Sequence, residues 1–414
     1  MIFDIKDYGA IPDGKTLNTR AIQKAIDDCE KHGGGRVLIE GGKFLSGSIE
    51  LKSNTELYLA ANAVLIGSED CKDYPERSNV KHVKTKWLPR AKNASFIFAD
   101  ECENISICGL GKIDCNGDKF VYKYRDTYWK YCRRDAATPP RAVFFTGCKN
   151  VKVEDITLEN LPAGWGYWIH DCDVVTIDRA KIFANVDYPN NDGIHINCSR
   201  SVTVSNCNIV CGDDCIVVRA NSVSLKENKV CEKVCVTNCN LTSYSGGIRI
   251  GWCKDGVIRN CVFSNLVMTD TTVGISILLP YLRREAPENM TDVGREETLI
   301  ENLSFNNIIM NRICSNSILI DVAYSPEMPI TGIRNLYFSN IHASGCEFPT
   351  LLGRSDNYLK NICFSDCTFE ITDGSEFPNR FAHGATSHND GQYHAPRVRY
   401  VENIKFNNTE FKVN

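Results

Sequence analysis

The feature that most narrows what this chain can fold into is its self-similarity. A short pattern recurs along most of its length: Asn, an alternating apolar run, then Asn or Asp with Cys or an apolar residue. It stands at Asn104-Ile105-Ser106-Ile107, Asn150-Val151-Lys152-Val153, Val174-Val175-Thr176-Ile177, Ser201-Val202-Thr203-Val204 and Lys233-Val234-Cys235-Val236. Later copies are Asn302-Leu303-Ser304-Phe305, Asn335-Leu336-Tyr337-Phe338, Asn361-Ile362-Cys363-Phe364 and Asn403-Ile404-Lys405-Phe406. Their spacing is roughly 23 to 33 residues, about double where a copy is degenerate or a loop intervenes. One unit is then one coil of a solenoid, whose insertions emerge as loops. The 414 residues exceed the usual size of one compact core, and an elongated repeat resolves that without a second domain. The expectation is an all-β parallel helix running through residues 1–414.

An open solenoid end exposes strand edges and apolar core, so a lid is needed. Residues 16–32 supply one: Asn18 or Thr19 is placed to cap a helix through about Lys31, ended by Gly33-Gly34-Gly35. Ala21, Ile22, Ala25 and Ile26 fall on its apolar face. Irregular stretches near 71–90, 118–140 and 279–297 read as loops walling a cleft.

Composition excludes more than it assigns. A net charge of -4 with 24% charged residues gives no footprint for nucleic acid or an anionic membrane surface. No stretch is long and apolar enough to span a bilayer. The 21 cysteines lack metal-ligand spacings, and His383, His388 and His394 form no compact metal motif, so no metal or other cofactor is expected. Cys148, Cys172, Cys198, Cys207, Cys239, Cys261 and Cys367 recur in similar contexts and read as small apolar residues stacked inside the repeat. So many free thiols point to a reducing cytoplasm, and Met1-Ile2-Phe3-Asp4-Ile5-Lys6 enters patterned sequence with no basic-then-apolar leader.

A second set of strands aligns when the coils are laid over one another. The runs Trp165–Ile169, Asp192–Ile196, Asp214–Val218, Gly246–Ile250 and Val273–Ile277 share one register. Alternation sends Tyr167, Ile194, Ile216, Ile248 and Ile275 inward, and leaves Trp168, His195, Val217, Arg249 and Ser276 as an outward column. Asp192 and Asp214 then occupy the same site on adjacent coils, about 4.8 Å apart along the axis. With Asp213 beside them they concentrate negative charge, which raises at least one proton affinity. One acid and two ionised bases is the division of labour such a trio favours.

Asn190-Asn191-Asp192-Gly193 is similar to the Asn-Thr-Asp-Gly of the polygalacturonase family, glycoside hydrolase family 28, and Gly212-Asp213-Asp214-Cys215 matches its Gly-Asp-Asp-Cys. The opening Asp7-Tyr8-Gly9-Ala10, Asp13-Gly14 and Thr19–Ile26 also resembles that family, with related β-helix families sharing it. The resemblance runs over nearly the whole chain and implies a single-stranded right-handed helix. It implies an inverting glycoside hydrolase, the residue matching Asp213 protonating the leaving oxygen and those matching Asp192 and Asp214 activating water. Its implied partner is an oligosaccharide or polysaccharide.

Two departures bear on substrate. The family's Gly-His-Gly is Ser245-Gly246-Gly247 here, and its Arg-Ile-Lys is Ser276-Ile277-Leu278, so a histidine and two cations are missing. His195, Arg249 and Arg219 are candidate replacements, Asn190 a further substrate contact, and Trp165 or Trp168 either a sugar-stacking platform or packing under loops. Arg283-Arg284 reads as a solvated loop rather than a subsite wall. A uronic and a neutral pectic sugar both remain open, as do an exo mode of attack and its rivals, a lyase or epimerase on the same fold or a non-catalytic carbohydrate-binding solenoid.

Overall fold

The structure is a computed structural model that describes residues 1–75, 94–126, 129–134, 141–222, 225–252, 255–279, 298–322, 330–372 and 395–413. The expected cleft segments are described only in part: Cys71–Asp73 forms a 3-10 turn, and Val121–Lys123 pairs antiparallel with Tyr131–Arg133. Residues 280–297, with Arg283 and Arg284, and the histidines at 383, 388 and 394 lie outside the described residues.

Every ladder apart from that hairpin and one isolated bridge is parallel, because each strand pairs with its counterpart one coil away. The result is a right-handed parallel β-helix. The first face is an eleven-stranded sheet: β1 (Ile49–Glu50), β2 (Ser95–Asp100), β3 (Arg141–Thr146), β4 (Trp165–His170), β5 (Ile194–Asn197), β6 (Ile216–Arg219), β7 (Gly246–Ile250), β8 (Val273–Leu278), β9 (Ile318–Asp321), β10 (Thr350–Leu352) and β11 (Arg397–Arg399). The other two faces merge in the later coils into single long strands, such as Cys231–Ser243 and Thr298–Asn316.

The recurrent Asn of the sequence pattern has a backbone cause. Asn54, Asn104, Asn150, Asn260, Asn302, Asn335, Asn361 and Asn403 all have φ between 56° and 61°, the left-handed conformation that turns the chain onto the second face. Asn tolerates it because its short amide bonds locally. Here the amides also bond to one another along the axis: Asn104 Nδ2 donates to Asn54 Oδ1 at 2.9 Å, Asn150 to Asn104 at 2.7 Å, Asn335 to Asn302 at 2.9 Å and Asn403 to Asn361 at 2.8 Å. A second ladder marks the next corner, with Asn307 donating to Asn265 and Asn340 to Asn307.

The fourth residue of each late copy forms a continuous aromatic stack, buried except at the terminal Phe406. Phe263, Phe305, Phe338, Phe364 and Phe406 follow one another with centroids 4.8 to 5.1 Å apart, the spacing of the coils themselves. The seven recurrent cysteines are all buried free thiols, acting as small apolar residues of the interior.

The lid is α1 (Thr19–Lys31), which buries Ile22, Ala25, Ile26 and Cys29 and leaves Ala21 half-buried against the same core. Its first turn differs from expectation. Asn18 makes no side-chain cap, because its Oδ1 accepts from the Ile11 N–H at 2.7 Å, and Thr19 Oγ1 accepts from the Gly47 N–H at 2.7 Å. Both candidates tie the lid to the strands it covers.

The first Asn ladder is interrupted at Val174, Ser201 and Lys233, which keep the same positive φ of 55° to 57°. For the branched Val174, 47% exposed, this is strain without compensation. Val174→Asn is expected to raise stability by about 1 kcal/mol, removing the strain and adding an amide bond to Asn150. Thermal or urea midpoints of the two proteins test it, and an unchanged or lower midpoint for the variant counts against the ladder as a source of stability.

Candidate active site

The register of the first face is the one read from the sequence. Tyr167 pairs with Ile194, Ile194 with Ile216, Ile216 with Ile248 and Ile248 with Ile275, and between them Trp168, His195, Val217, Arg249 and Ser276 form the outward column. Just before these strands, the Gly166 N–H donates to the Asp192 carbonyl at 2.8 Å, Gly193 to Asp214 at 2.9 Å and Cys215 to Gly246 at 2.8 Å. Trp165, Asp192, Asp214 and Gly246 therefore stand in sequence along the axis. Asp213 is the residue before Asp214 on the same turn, so the three carboxylates meet across two coils.

Each carboxylate is held differently. Asp213 Oδ2 accepts from the Asn190 backbone N–H at 3.1 Å and from its Nδ2 at 3.2 Å. Asp214 Oδ1 accepts from Ser245 Oγ at 3.0 Å, and its Oδ2 lies 3.8 Å from Arg249 Nη1. Asp192 Oδ1 is buried without a hydrogen-bond partner, while its Oδ2 faces His195 Nδ1 at 3.4 Å. The turn itself is clamped by the fully buried Asn191, whose Oδ1 accepts from the N–H of Gly212 at 2.7 Å and of Asp213 at 3.1 Å. Glycine is required at 212, where a Cβ would lie 2.3 Å from the Tyr188 carbonyl oxygen, while a Cβ on Gly246 would lie 2.5 Å from Asp214 Oδ1 and push that carboxylate aside.

Burial sets the electrostatics. The residues are only 5% (Asp192), 9% (Asp213) and 7% (Asp214) exposed. Burial first, then the neighbouring Asp214, pushes the Asp213 carboxyl up to about 7. Burial, then Asp213 and Asp214, raises Asp192 well above the carboxylate range, and Asp214 is also raised by burial, with Arg249 drawing it back. The trio titrates together, since a proton on one carboxyl relieves the other two. Burial, then the cations Arg219 and Arg141, holds His195 well below its ordinary value, so its imidazole is neutral.

The remaining sequence candidates divide. Trp165 is half-buried, 4.1 Å from the His195 ring, and stays at the rim of the aspartates. Trp168 is instead packed: Phe144 stacks on it at 4.3 Å, His170 at 4.8 Å, and the Arg141 guanidinium lies 3.6 Å from its ring centroid. That excludes it as a platform for sugar. Arg219 is bound to the fully buried Asp255 through bonds of 2.6 and 2.8 Å, which corrects its reading as a free substrate cation. Asn190 donates its backbone N–H and one Nδ2 N–H to Asp213 and so supports that carboxylate.

Sequence reasoning missed several residues. Arg141 occupies the position of Trp165 one coil earlier, and extending the register to β3 finds it. Ser245 was visible only as part of a missing motif. Arg133, held by its Nε bond to the Ala163 carbonyl and lowered to about 10 by burial against the opposing pull of Asp192 and Asp213, comes from the hairpin and has no sequence signal.

A right-handed β-helix with three coupled carboxylates on one face defines a class, the β-helical carbohydrate-active hydrolases. Within it the chain belongs to glycosyl hydrolases family 28, whose model matches residues 77–370. A further model, rhamnogalacturonase A/epimerase, pectate lyase-like, matches residues 2–79, the lid and first coils. A probable polygalacturonase of Vitis vinifera is 27% identical over 66% of this chain, and the chain covers 55% of that protein's length. An exo-poly-alpha-D-galacturonosidase of Dickeya chrysanthemi is 26% identical over 88% of this chain and 71% of that one. A hyperthermoactive exopolygalacturonase from Thermotoga maritima shares the fold, with a TM-score of 0.75 at 20% identity over 98% of this chain and 92% of that one.

The raised carboxyls have a stability consequence. Folded Asp213 keeps a proton to about pH 7 that the unfolded chain gives up near 3.8, so its contribution is most favourable below about pH 4 and is lost as pH rises through 7. Asp213→Asn removes that loss. The variant is expected to gain roughly 1 to 3 kcal/mol over the parent between pH 4.5 and 7.5. Thermal midpoints at the two pH values measure the gap, which must widen with pH for the assignment to stand.

Proposed function

We propose that the chain hydrolyses glycosidic bonds of pectin-derived oligosaccharides with inversion, releasing sugar from a chain end. The observation that carries this reading is the placement of Asp192 and Asp214 at one site on adjacent coils, with Asp213, raised to about 7, beside them. Inversion needs an acid and a base roughly 6.5 to 9.5 Å apart with water between them. One strand spacing of about 4.8 Å plus a one-residue offset supplies such a separation. In this reading the proton shared by the trio sits on Asp213, which donates it to the leaving oxygen, and that leaves Asp192 and Asp214 ionised to orient and deprotonate the attacking water. A carboxyl near 7 suits the acid, since it is protonated at neutral pH yet gives up its proton readily. Neutral His195 beside Asp192 adds no competing positive charge.

End-on attack is supported by what flanks the aspartates. The outward column of such a face would line an open groove if it ran uncovered. Here Phe98, Phe144 and Trp168 form an apolar cluster separate from the core, with Trp165 packed against it, on the lid side of Asp192. Val273, Leu278 and Leu319 form another on the far side. Between them the column offers His195, Val217, Arg249 and Ser276, about 14 Å of floor over three strand spacings. These apolar clusters bound the polar stretch of the floor at both ends. A relative named as an exo-acting galacturonosidase agrees with attack at a chain end.

Product analysis on a panel of galacturonan, rhamnogalacturonan and neutral pectic oligosaccharides tests the reading. The expected outcome is a saturated monosaccharide from one panel member, with kcat/KM falling as pH rises above about 7. Asp213→Asn should lower kcat by on the order of 10² to 10⁴ while substrate binding changes little. Unsaturated products would replace hydrolysis with elimination, internal cleavage would remove the end-on mode, and binding without products would leave a carbohydrate-binding solenoid.

A further inference from the structure

Among the described residues four arginines lie near the aspartates, and three are directed elsewhere. Arg219 forms two short bonds with Asp255. Arg141 lies against the Trp168 ring, and Arg133 donates its Nε to the Ala163 carbonyl. Arg249 is the one that faces a carboxylate of the trio. It is 6% exposed, yet its Nε has no acceptor, and the nearest carboxylate oxygen, Asp214 Oδ2, is 3.8 Å from Nη1, beyond hydrogen-bonding distance. A buried guanidinium N–H without an acceptor is costly, so a ligand that supplies one gains more there than in water.

The surroundings also select the geometry of that ligand. The Trp252 ring lies 4.1 Å from the guanidinium carbon and supports it from one side. Along the outward column its neighbours are Val217 and Ser276, both short, so no side chain of the floor reaches across the cation. Ser276 Oγ is turned away, donating to the Ile248 carbonyl at 3.2 Å. What remains is a planar fork of donors beside the Asp214 carboxylate, the arrangement that a second carboxylate engages through two parallel bonds.

We infer that Arg249 is the specificity-determining residue for a hexuronide, pairing with the carboxylate of the sugar bound beside Asp214. This rests on the hydrolase reading above and goes further by naming the charge of the substrate and the group that reads it. The lost Arg-Ile-Lys segment of the family is then replaced in function by a cation one coil earlier in the same column. A neutral sugar at this position would leave the fork unsatisfied, which makes the site selective against it.

The test compares kcat/KM on a galacturonic acid oligomer and on the same oligomer with its carboxylates methyl-esterified, for the parent, Arg249→Met and Arg249→Lys. The parent is expected to prefer the free acid by on the order of 100-fold, mostly through KM, and Arg249→Met to bring the ratio of the two substrates close to one. Arg249→Lys keeps the charge without the planar fork and should fall between them, which separates lost recognition from lost folding. A parent that cleaves acid and ester equally well overturns the inference. So does an Arg249→Met protein that loses both substrates in proportion, since Arg249 would then serve Asp214 alone. Both results leave hydrolysis standing, whereas a parent that cleaves neither oligomer, nor any neutral one, removes the hydrolase reading and this inference with it.

Discussion

Everything in this molecule follows from the distance between neighbouring parallel strands, about 4.8 Å, and from the rule that each coil sits in register on the last. Under that constraint a side chain's principal neighbour is its own counterpart one coil away. Residues that satisfy themselves when stacked are therefore favoured. An Asn amide carries both donor and acceptor and bonds to another Asn, so Asn recurs at the corners. A Phe ring stacks on a Phe ring at the coil spacing, and a thiol fills the remaining small gaps.

Carboxylates are the opposite case. Stacking Asp214 on Asp192 places like charges where the fold would place complementary groups, and burial makes the repulsion larger. The surrounding structure supports the trio unevenly: two bonds from Asn190 to Asp213, one from Ser245 to Asp214, and no donor on Asp192 Oδ1. The site is thus a local breach of the rule that builds the rest. Its cost is spread over the clamp of Asn191, the approach of Gly212 and a proton held jointly by the trio. A solenoid tolerates that unfavourable concentration of charge because coils far from the site contribute stability independently.

How much of this was legible in the sequence depends on the range of the interactions involved. The coil register and the column of Trp165, Asp192 and Asp214 were readable because strand alternation and coil pairing are periodic. The helical lid was readable for the same reason. Its cap was not, since Asn18 and Thr19 bond to Ile11 and Gly47 across the fold. Arg219 was misread because its partner Asp255 is 36 residues away, and nothing periodic links the two. Trp168 was left ambiguous until Arg141 and Phe144, one coil earlier, were seen to cover it. Arg133 belongs to a hairpin outside the repeat, where side-chain direction has no period to follow.

The absence of a side chain at position 246 ties these threads together. The same column that carries Trp165, Asp192 and Asp214 reaches Gly246 next, and a Cβ there would lie 2.5 Å from Asp214 Oδ1. Any larger residue would therefore displace that carboxylate, or its bond from Ser245, before making a contact of its own. The space left open lies between Asp214 and Val273, on the side of the aspartates where Arg249 projects from the neighbouring column. A histidine at 246 would require the Asp214 carboxylate to turn away from this pose. With no side chain at 246, the cation nearest Asp214 comes from the outward column, where Arg249 has both the strand position and an unsatisfied donor.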